Sequence, residues 1–129
     1  MDPKTSCASA QTYRDFEVMV VDDHSSMDLQ AVLDPTLQSE FGFRFLLSDG
    51  KGVSAARNTG VRQSSSELIA FLDSDDEWLS NKLEAQVKFF GSHPDFLFSH
   101  TNETWLRNHV IKTQPAKFLR SGGDIFASC

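Results

Sequence analysis

The sequence predicts an α/β fold in which a mostly parallel sheet is flanked by helices. Short apolar runs rich in Val, Ile and Phe, such as Val18 to Val21 and Leu68 to Leu72, are typical of buried strands. Segments with helical spacing lie between these runs, as such a sheet requires. Both runs end in acidic clusters, and α/β sheets bind ligands beyond the carboxyl ends of their strands. The two clusters are therefore expected to face one crevice.

The first half of the chain contains two predicted strands and one predicted helix. Apolar runs place the strands at Glu17 to Val21 and at Phe43 to Leu47. Helix-capping residues from Ser25 to Asp28 precede apolar residues at helical spacing. This pattern predicts a short helix that ends at Asp34-Pro35.

The second half begins with a turn of small residues from Gly50 to Ser54, which leads into a helix. A second helix is predicted where apolar residues recur at helical intervals, and Gly91 and His93-Pro94 are expected to close it. Beyond Trp105 the signal weakens, but a hairpin is predicted to turn at Asn108. The predicted elements are helix Ala55 to Arg62, strand Leu68 to Leu72, helix Leu79 to Phe90, strand Phe96 to Ser99, and hairpin strands Glu103 to Arg107 and Val110 to Thr113.

The length and composition suit a single domain. The chain has 129 residues, of which 40% are hydrophobic, and this is enough for an ordinary core. Residues 1–10 are polar and patternless, so we expect a disordered or non-native leader there. The domain is predicted to span residues 11–113, and residues 114–129 form a tail to which no structure is assigned.

The composition also excludes several classes of function. A net charge of −6 without a basic stripe argues against nucleic-acid binding, which depends on clustered Lys and Arg. Cys7 and Cys129 lack metal-ligand spacing and fit a reducing compartment. No apolar stretch is long enough to cross a bilayer and no export leader is found. We therefore expect a cytoplasmic protein, for which a membrane-linked substrate stays open.

The acidic clusters predict a site for a metal ion and a phosphate. Asp22 and Asp23 follow the first strand, and Asp73, Asp75 and Asp76 follow the later apolar run. Carboxylates brought together repel one another unless a divalent cation offsets their charge. Taken alone, each cluster also has a simpler explanation, which is an Asx-capped turn for the first and a solvated helix N-terminus for the second.

Four short motifs occur in order along the chain: Gln11-Thr12-Tyr13, the Val-Val-Asp-Asp-x-Ser of Val20 to Ser25, the Gly-Val-Ser-Ala-Ala-Arg-Asn-x-Gly of Gly52 to Gly60, and the Phe-Leu-Asp-Ser-Asp-Asp-Glu-Trp of Phe71 to Trp78. In order and spacing they resemble the motifs of family 2 glycosyltransferases, which have the GT-A fold. Each motif is a weak signal by itself. Together they cover most of the chain and favour a ligand site over the simpler explanations.

The resemblance implies a three-layer, Rossmann-like nucleotide-binding half. It implies a nucleotide-sugar donor, expected to be a UDP-sugar, with Mg²⁺ or Mn²⁺ on its diphosphate. The sugar would pass with inversion to a hydroxyl of a carbohydrate, lipid-linked or protein acceptor. A lipid-linked acceptor would bring the protein to the inner face of the membrane. In the family pattern Asp75 meets the metal, and Asp73 lies toward the ribose and a metal-bound water. The cation would stabilise the leaving diphosphate as a Lewis acid.

The resemblance also implies how the nucleotide is bound. Asp23 matches the carboxylate that accepts a hydrogen bond from the nucleobase, commonly the uracil N–H, and Asp22 would support the turn. Arg57 and Asn58 match the Ala-Arg-Asn segment and are expected to contact the base or the diphosphate. His24 is a departure, because family members usually have Gly or Asn at this position.

Other parts of the family pattern are absent. Residues 1–10 contain neither the apolar first strand nor the Pro-Thr-Tyr-Asn loop, and the chain stops before the region of the catalytic base. We therefore expect a partial domain, truncated at both ends, without its catalytic base. Glu103 and Asp124 are the nearest candidates for that base. An uncovered sheet edge would also favour a homodimer in which a second copy covers it.

Two alternative functions stay open at this point. A fragment of this kind could be a non-catalytic remnant that binds a nucleotide or a partner protein. A phosphorelay receiver domain also uses acids at strand ends and Mg²⁺, with Asp73 as the phosphate acceptor. Receivers, however, have no need of the Ala-Arg-Asn-x-Gly or Asp-Asp-Glu-Trp segments.

Overall fold

The computed structural model describes residues 8–29, 42–108 and 110–118. The chain divides into two units, Met1–Ser92 and His93–Cys129. The first unit contains strand β1 (Met19–Asp22), strand β2 (Arg44–Leu47), helix α1 (Val53–Gln63) and helix α2 (Lys82–Ser92). The second contains strands β3 (Trp105–Arg107) and β4 (Val110–Lys112), followed by a 3₁₀ turn at Ala116–Phe118.

Strands β1 and β2 pair in parallel, with Met19 opposite Arg44 and Asp22 opposite Leu47. The Ser48 N–H donates to the Asp22 carbonyl at 2.8 Å, which continues the pairing just past the end of β1. Two parallel strands next to α-helices confirm the predicted α/β class. Both strands also lie within two residues of their predicted bounds.

Helix α1 packs against β1 and β2. A Cβ atom placed on Gly60 would lie 3.5 Å from Cγ2 of Val21, so the helix approaches the strand at van der Waals distance. Thr59 is buried, and its hydroxyl oxygen lies 2.9 Å from the Ala55 carbonyl oxygen one turn earlier. The predicted helix from Ala55 to Arg62 is confirmed, and it extends slightly beyond both predicted ends.

Helix α2 is also confirmed, but it begins later than predicted. A turn closed by the Lys82 N–H and the Leu79 carbonyl, 3.0 Å apart, precedes it. The helix continues through Gly91 and stops at Ser92, directly before His93-Pro94, the second of the two predicted stop signals. In the second unit β3 and β4 form the predicted antiparallel hairpin.

Two predicted strands, Leu68 to Leu72 and Phe96 to Ser99, are wrong. Within the described residues neither run is a strand, and the parallel sheet consists of β1 and β2. Apolar β-branched composition favours a strand only where a neighbouring strand supplies hydrogen bonds and packing. Leu68, Ile69 and Phe71 accordingly remain 46%, 42% and 50% exposed.

Several predictions fall outside the described residues. They concern the core of the helix that was expected to end at Asp34-Pro35, the thiols Cys7 and Cys129, residue Asp124, and most of the leader and the tail. Within the predicted leader, Ala8 and Ser9 are helical. The boundaries predicted at residues 11 and 113 stay predictions.

Candidate functional site

Asp22, the last residue of β1, uses its side chain to shape the turn that follows. It is buried, and its Oδ1 accepts a hydrogen bond of 3.0 Å from the Ser25 N–H. Hydrogen bonds from the side chain and the backbone of Ser25 hold the pKa of Asp22 below its ordinary value. The carboxylate is therefore fixed in its ionised form at the end of the strand.

The next carboxylate, Asp23, is exposed and reaches across to α1. Its Oδ1 and Oδ2 each lie 2.9 Å from the backbone nitrogen of Gly52, the N-cap residue of α1. Gly52 has φ 92° and no side chain with which to cap the helix. An anion is favourable at a helix N-terminus, so Asp23 performs from a distance what a local capping residue would do.

His24 lies in the left-handed region, with φ 58°. Glycine and asparagine adopt this conformation at lower cost than most other residues. The turn geometry therefore gives a physical reason for the Gly or Asn that related sequences are expected to have here.

Arg57 on α1 holds the second acidic cluster. Its Nη2 lies 2.6 Å from Oδ1 and 2.9 Å from Oδ2 of Asp73. The guanidinium carbon also lies 5.7 Å from the centre of the Phe71 ring, within range of a cation–π contact. These contacts hold the end of the apolar run, from Phe71 to Asp73, against α1.

Both acidic clusters consequently meet the same stretch of α1. Asp23 contacts its N-cap at Gly52, and Asp73 contacts Arg57. At about 1.5 Å of rise per residue, these two points are separated by about 7.5 Å along the helix. The structure therefore attaches both carboxylates to the first turns of α1, at positions five residues apart.

The remaining predicted site residues are exposed. Asn58 follows Arg57 on α1, and Asp75 lies in a turn in which the Asp76 N–H donates to the Asp73 carbonyl at 3.1 Å. In the part of the chain that the structure describes, no three acidic, His or Cys side chains are grouped so as to hold a metal ion. Any cation at this turn would take most of its ligands from elsewhere.

A network that the sequence analysis did not identify anchors the loop before α1. The Thr59 hydroxyl lies 2.8 Å from Oδ1 of Asp49, and Arg62 forms an ion pair with the same carboxylate. These two partners hold the pKa of Asp49 below its ordinary value. The residues are ten or more positions apart along the chain, and no local pattern in the sequence signals their contact.

The side chain of Gln11 also received no role from the sequence, although it opens the first motif. It is fully buried and bonds to Leu79 and Leu83, near the start of α2. Close to this contact, the Lys82 ammonium lies 4.0 Å from the centre of the Trp78 ring. Desolvation at this position lowers the pKa of Lys82.

Comparison with known proteins identifies a family. The sequence profile described as glycosyl transferase family 2 matches residues 5–123. An uncharacterized glycosyltransferase of Rickettsia bellii is 39% identical over 92 residues, which cover 71% of this chain and 13% of that protein. No solved structure gives a significant match.

Two relatives have specific names. The Escherichia coli UDP-Glc:alpha-D-GlcNAc-diphosphoundecaprenol beta-1,3-glucosyltransferase WfgD is 43% identical over 103 residues, covering 78% of this chain and 39% of that protein. The Campylobacter jejuni GalNAc(5)-diNAcBac-PP-undecaprenol beta-1,3-glucosyltransferase is 35% identical over 80 residues, covering 60% of this chain and 26% of that protein. The chain thus spans well under half the length of these relatives. Among the described residues, no helix has the length and apolar character needed to cross a membrane.

Proposed function

The chain belongs to glycosyl transferase family 2, and on this basis we propose that it is the donor-binding part of a UDP-sugar-dependent glycosyltransferase. The observation that best supports this proposal is the attachment of both Asp23 and Asp73 to the first turns of α1. Family membership also excludes the receiver-domain alternative, because glycosyl transferase family 2 accounts for the four motifs.

The nucleobase would bind beside Asp23. The Asp23 carboxylate is exposed, and apart from the neighbouring residues in the chain no described atom lies within 4 Å of the position that a Gly52 Cβ would occupy. A planar base can therefore approach the backbone closely at this point. Uracil presents an N–H donor that an ionised carboxylate accepts, whereas cytosine presents a lone pair at the same ring position. Asp23 would consequently favour UDP over CDP.

The diphosphate and a cation would bind near Arg57, Asp73 and Asp75. Mg²⁺ and Mn²⁺ prefer oxygen ligands, and Mg²⁺ needs only one or two carboxylates when phosphate and water supply the rest. Asp73 and Asp75 are exposed and belong to one turn, so they fit such a cation without a larger cluster. When bound, the cation would supply Lewis-acid stabilisation of the departing diphosphate. Arg57 would neutralise additional phosphate charge, and Asn58 would donate a hydrogen bond from the next position of the helix.

The acceptor is proposed from the named relatives. Two of them carry diphosphoundecaprenol or PP-undecaprenol acceptors in their names, so we propose a lipid-linked carbohydrate as the acceptor class. The enzyme would then work at the inner membrane face and transfer the sugar with inversion. Glu103, one of the two candidate bases, accepts a hydrogen bond from the Trp105 indole N–H at 3.2 Å, and no base is assigned.

Isothermal titration with UDP, in the presence and absence of Mn²⁺, tests the donor site. We expect UDP binding that is strengthened by Mn²⁺ and exceeds the binding of CDP. Asp23→Asn should weaken it, whereas Asp15→Asn, which changes an exposed acid elsewhere in the first unit, should not. Absence of binding at millimolar UDP would favour the non-catalytic remnant and contradict the proposal.

A further inference from the structure

We propose that Gln11 is a positioning residue that fixes the acidic loop, defined as Asp73 to Trp78, in the orientation that the metal–diphosphate group requires. The inference rests on the proposed function. It assigns a role to the Gln-Thr-Tyr motif, which contributes no side chain to the donor site described above.

The Gln11 side chain forms a clamp on the chain that follows the acidic loop. It has no exposed surface. Its Nε2 donates to the Leu79 carbonyl at 2.9 Å, and its Oε1 accepts from the Leu83 N–H at 3.1 Å. A buried amide whose two ends are both used has only one orientation that satisfies its partners. The Leu79 carbonyl and the Leu83 N–H are therefore held at a fixed separation by Gln11.

Thr12 reinforces this contact. Its backbone N–H donates to the Ser80 carbonyl at 2.8 Å, and its hydroxyl donates to Oε2 of Glu84 at 2.6 Å. Leu83 lies in the first turn of α2, where backbone N–H groups lack helical acceptors. Gln11 supplies one such acceptor from a segment 72 residues away. The start of α2 is thus held by residues at the beginning of the first unit.

The acidic loop is consequently held at both ends. At its first residue, Asp73 is bonded to Arg57 of α1. Immediately after its last residue, Leu79 is bonded to Gln11, and Trp78 lies against Lys82. Two neighbouring carboxylates repel each other when no cation lies between them. Because these contacts already fix the acidic loop, binding of the cation does not have to include the entropic cost of ordering it. Release of the Gln11 end would let Asp75 move while Asp23 stays in place.

This geometry separates the expected effect of Gln11 from a general loss of stability. Gln11→Leu removes both bonds while retaining a side chain of similar volume. We expect it to reduce the strengthening of UDP binding by Mn²⁺ about tenfold, whereas UDP affinity without Mn²⁺, which depends on Asp23, changes less than twofold. Thr12→Val, a milder change, should reduce the Mn²⁺ effect two- to threefold. Gln63→Ala, an exposed glutamine of α1, should leave both affinities unchanged.

Trp78 gives a second readout that does not depend on the nucleotide. In a Trp105→Phe background, Gln11→Leu should increase acrylamide quenching of Trp78 fluorescence at a temperature where the protein is folded. A variant that retains the full Mn²⁺ effect and unchanged quenching would overturn the inference. If the wild-type chain binds no UDP at all, the proposed function fails first, and the role of Gln11 in donor binding fails with it. The two failures are therefore distinguishable.

Discussion

Both carboxylate oxygens of Asp23 lie 2.9 Å from the backbone nitrogen of Gly52, so one side chain joins the end of β1 to the start of α1. This contact has a structural purpose, because it satisfies an amide at a helix N-terminus. It also leaves an exposed acceptor beside an open backbone position. Substitutions at Asp23 can separate these two roles, since an amide retains the first and loses the second.

Asp23→Asn should change nucleotide preference with little effect on folding. The Asn Oδ1 can still accept from Gly52, so we expect the free energy of unfolding to change by less than about 1 kcal/mol. The Asn amide would face the uracil N–H as a second donor. A lost hydrogen bond to a charged group is worth about 1.5–3 kcal/mol, so UDP affinity should fall about tenfold or more.

Cytosine offers the control for that substitution. Its ring nitrogen accepts a hydrogen bond, so CDP should bind Asp23→Asn relatively better than it binds the wild type. Titration calorimetry with both nucleotides gives the ratio, and urea unfolding gives the stability. An unchanged ratio of UDP to CDP affinity would show that Asp23 does not contact the base.

Arg57→Met should have opposite effects on the two proposed ligands. Arg57 neutralises Asp73, and two unit charges 4 Å apart in water interact by about 1 kcal/mol. Without Arg57, Mn²⁺ alone should bind up to about fivefold more tightly, as measured by electron paramagnetic resonance. UDP in the presence of Mn²⁺ should bind more weakly, because a phosphate partner is lost.

Arg62→Met is the matched control for Arg57. Arg62 lies on the same helix and is also exposed, but its ion pair is with Asp49. Exposed ion pairs contribute about 0–1 kcal/mol, so both variants should remain folded. Equal effects of the two substitutions on Mn²⁺ binding would indicate a general charge effect and contradict a local role for Arg57.

Local patterns account for what the sequence predicted correctly. The two strands β1 and β2, both helices and the hairpin all depend on periodicity, apolar runs and turn residues within short windows. The run from Leu68 to Leu72 has an equally clear apolar pattern but is not a strand, because strand formation also needs a neighbour. Its acidic end nevertheless meets α1, through the contact between Asp73 and Arg57.

The motifs predicted which residues form the site, but they did not predict the contacts that support those residues. The sequence pointed to Asp23 and Asp73 as parts of one crevice, and their roles in binding stay predictions. It gave no sign that Gln11 contacts Leu83, since 72 residues separate them. Likewise, nothing in the sequence links Thr59 to Asp49 across the loop before α1. Such contacts depend on the tertiary arrangement of elements and have no local signature.

Gly52→Ala should destabilise the first unit through its backbone alone. At φ 92° and ψ 158°, Gly52 occupies a region that is essentially restricted to glycine, and strain there costs about 1–3 kcal/mol. A Cβ at this position would meet no atom within 4 Å, so steric collision adds nothing. Urea unfolding should show this loss, and UDP affinity should fall because relief of the strain would shift the backbone N–H that holds Asp23.

Gly91→Ala provides the opposite case. Gly91 lies in α2, and a Cβ there also meets no atom within 4 Å. Alanine is favoured over glycine in a helix by up to about 1 kcal/mol, so this variant should be slightly more stable. If both substitutions destabilised equally, the conformational explanation for Gly52 would be wrong.

Ser25→Ala should make stability less dependent on the ionisation of Asp22. Hydrogen bonds from Ser25 lower the pKa of Asp22 below the ordinary value of 3.8. A lowered pKa in the folded state means that the ionised carboxylate is stabilised on folding. This contribution is fully present above about pH 4 and is lost as the pH falls through the lowered pKa. In the variant, loss of the Ser25 hydroxyl should move the pKa of Asp22 back toward 3.8.

The difference in unfolding free energy between wild type and Ser25→Ala should therefore be largest near neutral pH and shrink as the medium is acidified. Nuclear magnetic resonance titration of the Asp22 carboxyl carbon measures the pKa, and urea unfolding at several pH values measures the stability. Ser26→Ala is the control, because Ser26 is exposed and adjacent while the side-chain hydrogen bond to Asp22 comes from Ser25. A pKa of Asp22 that did not rise in Ser25→Ala would mean that other groups fix the ionised form. Its ionisation would then have to be maintained by the Ser25 backbone N–H and the charge of His24, because burial raises the pKa of Asp22.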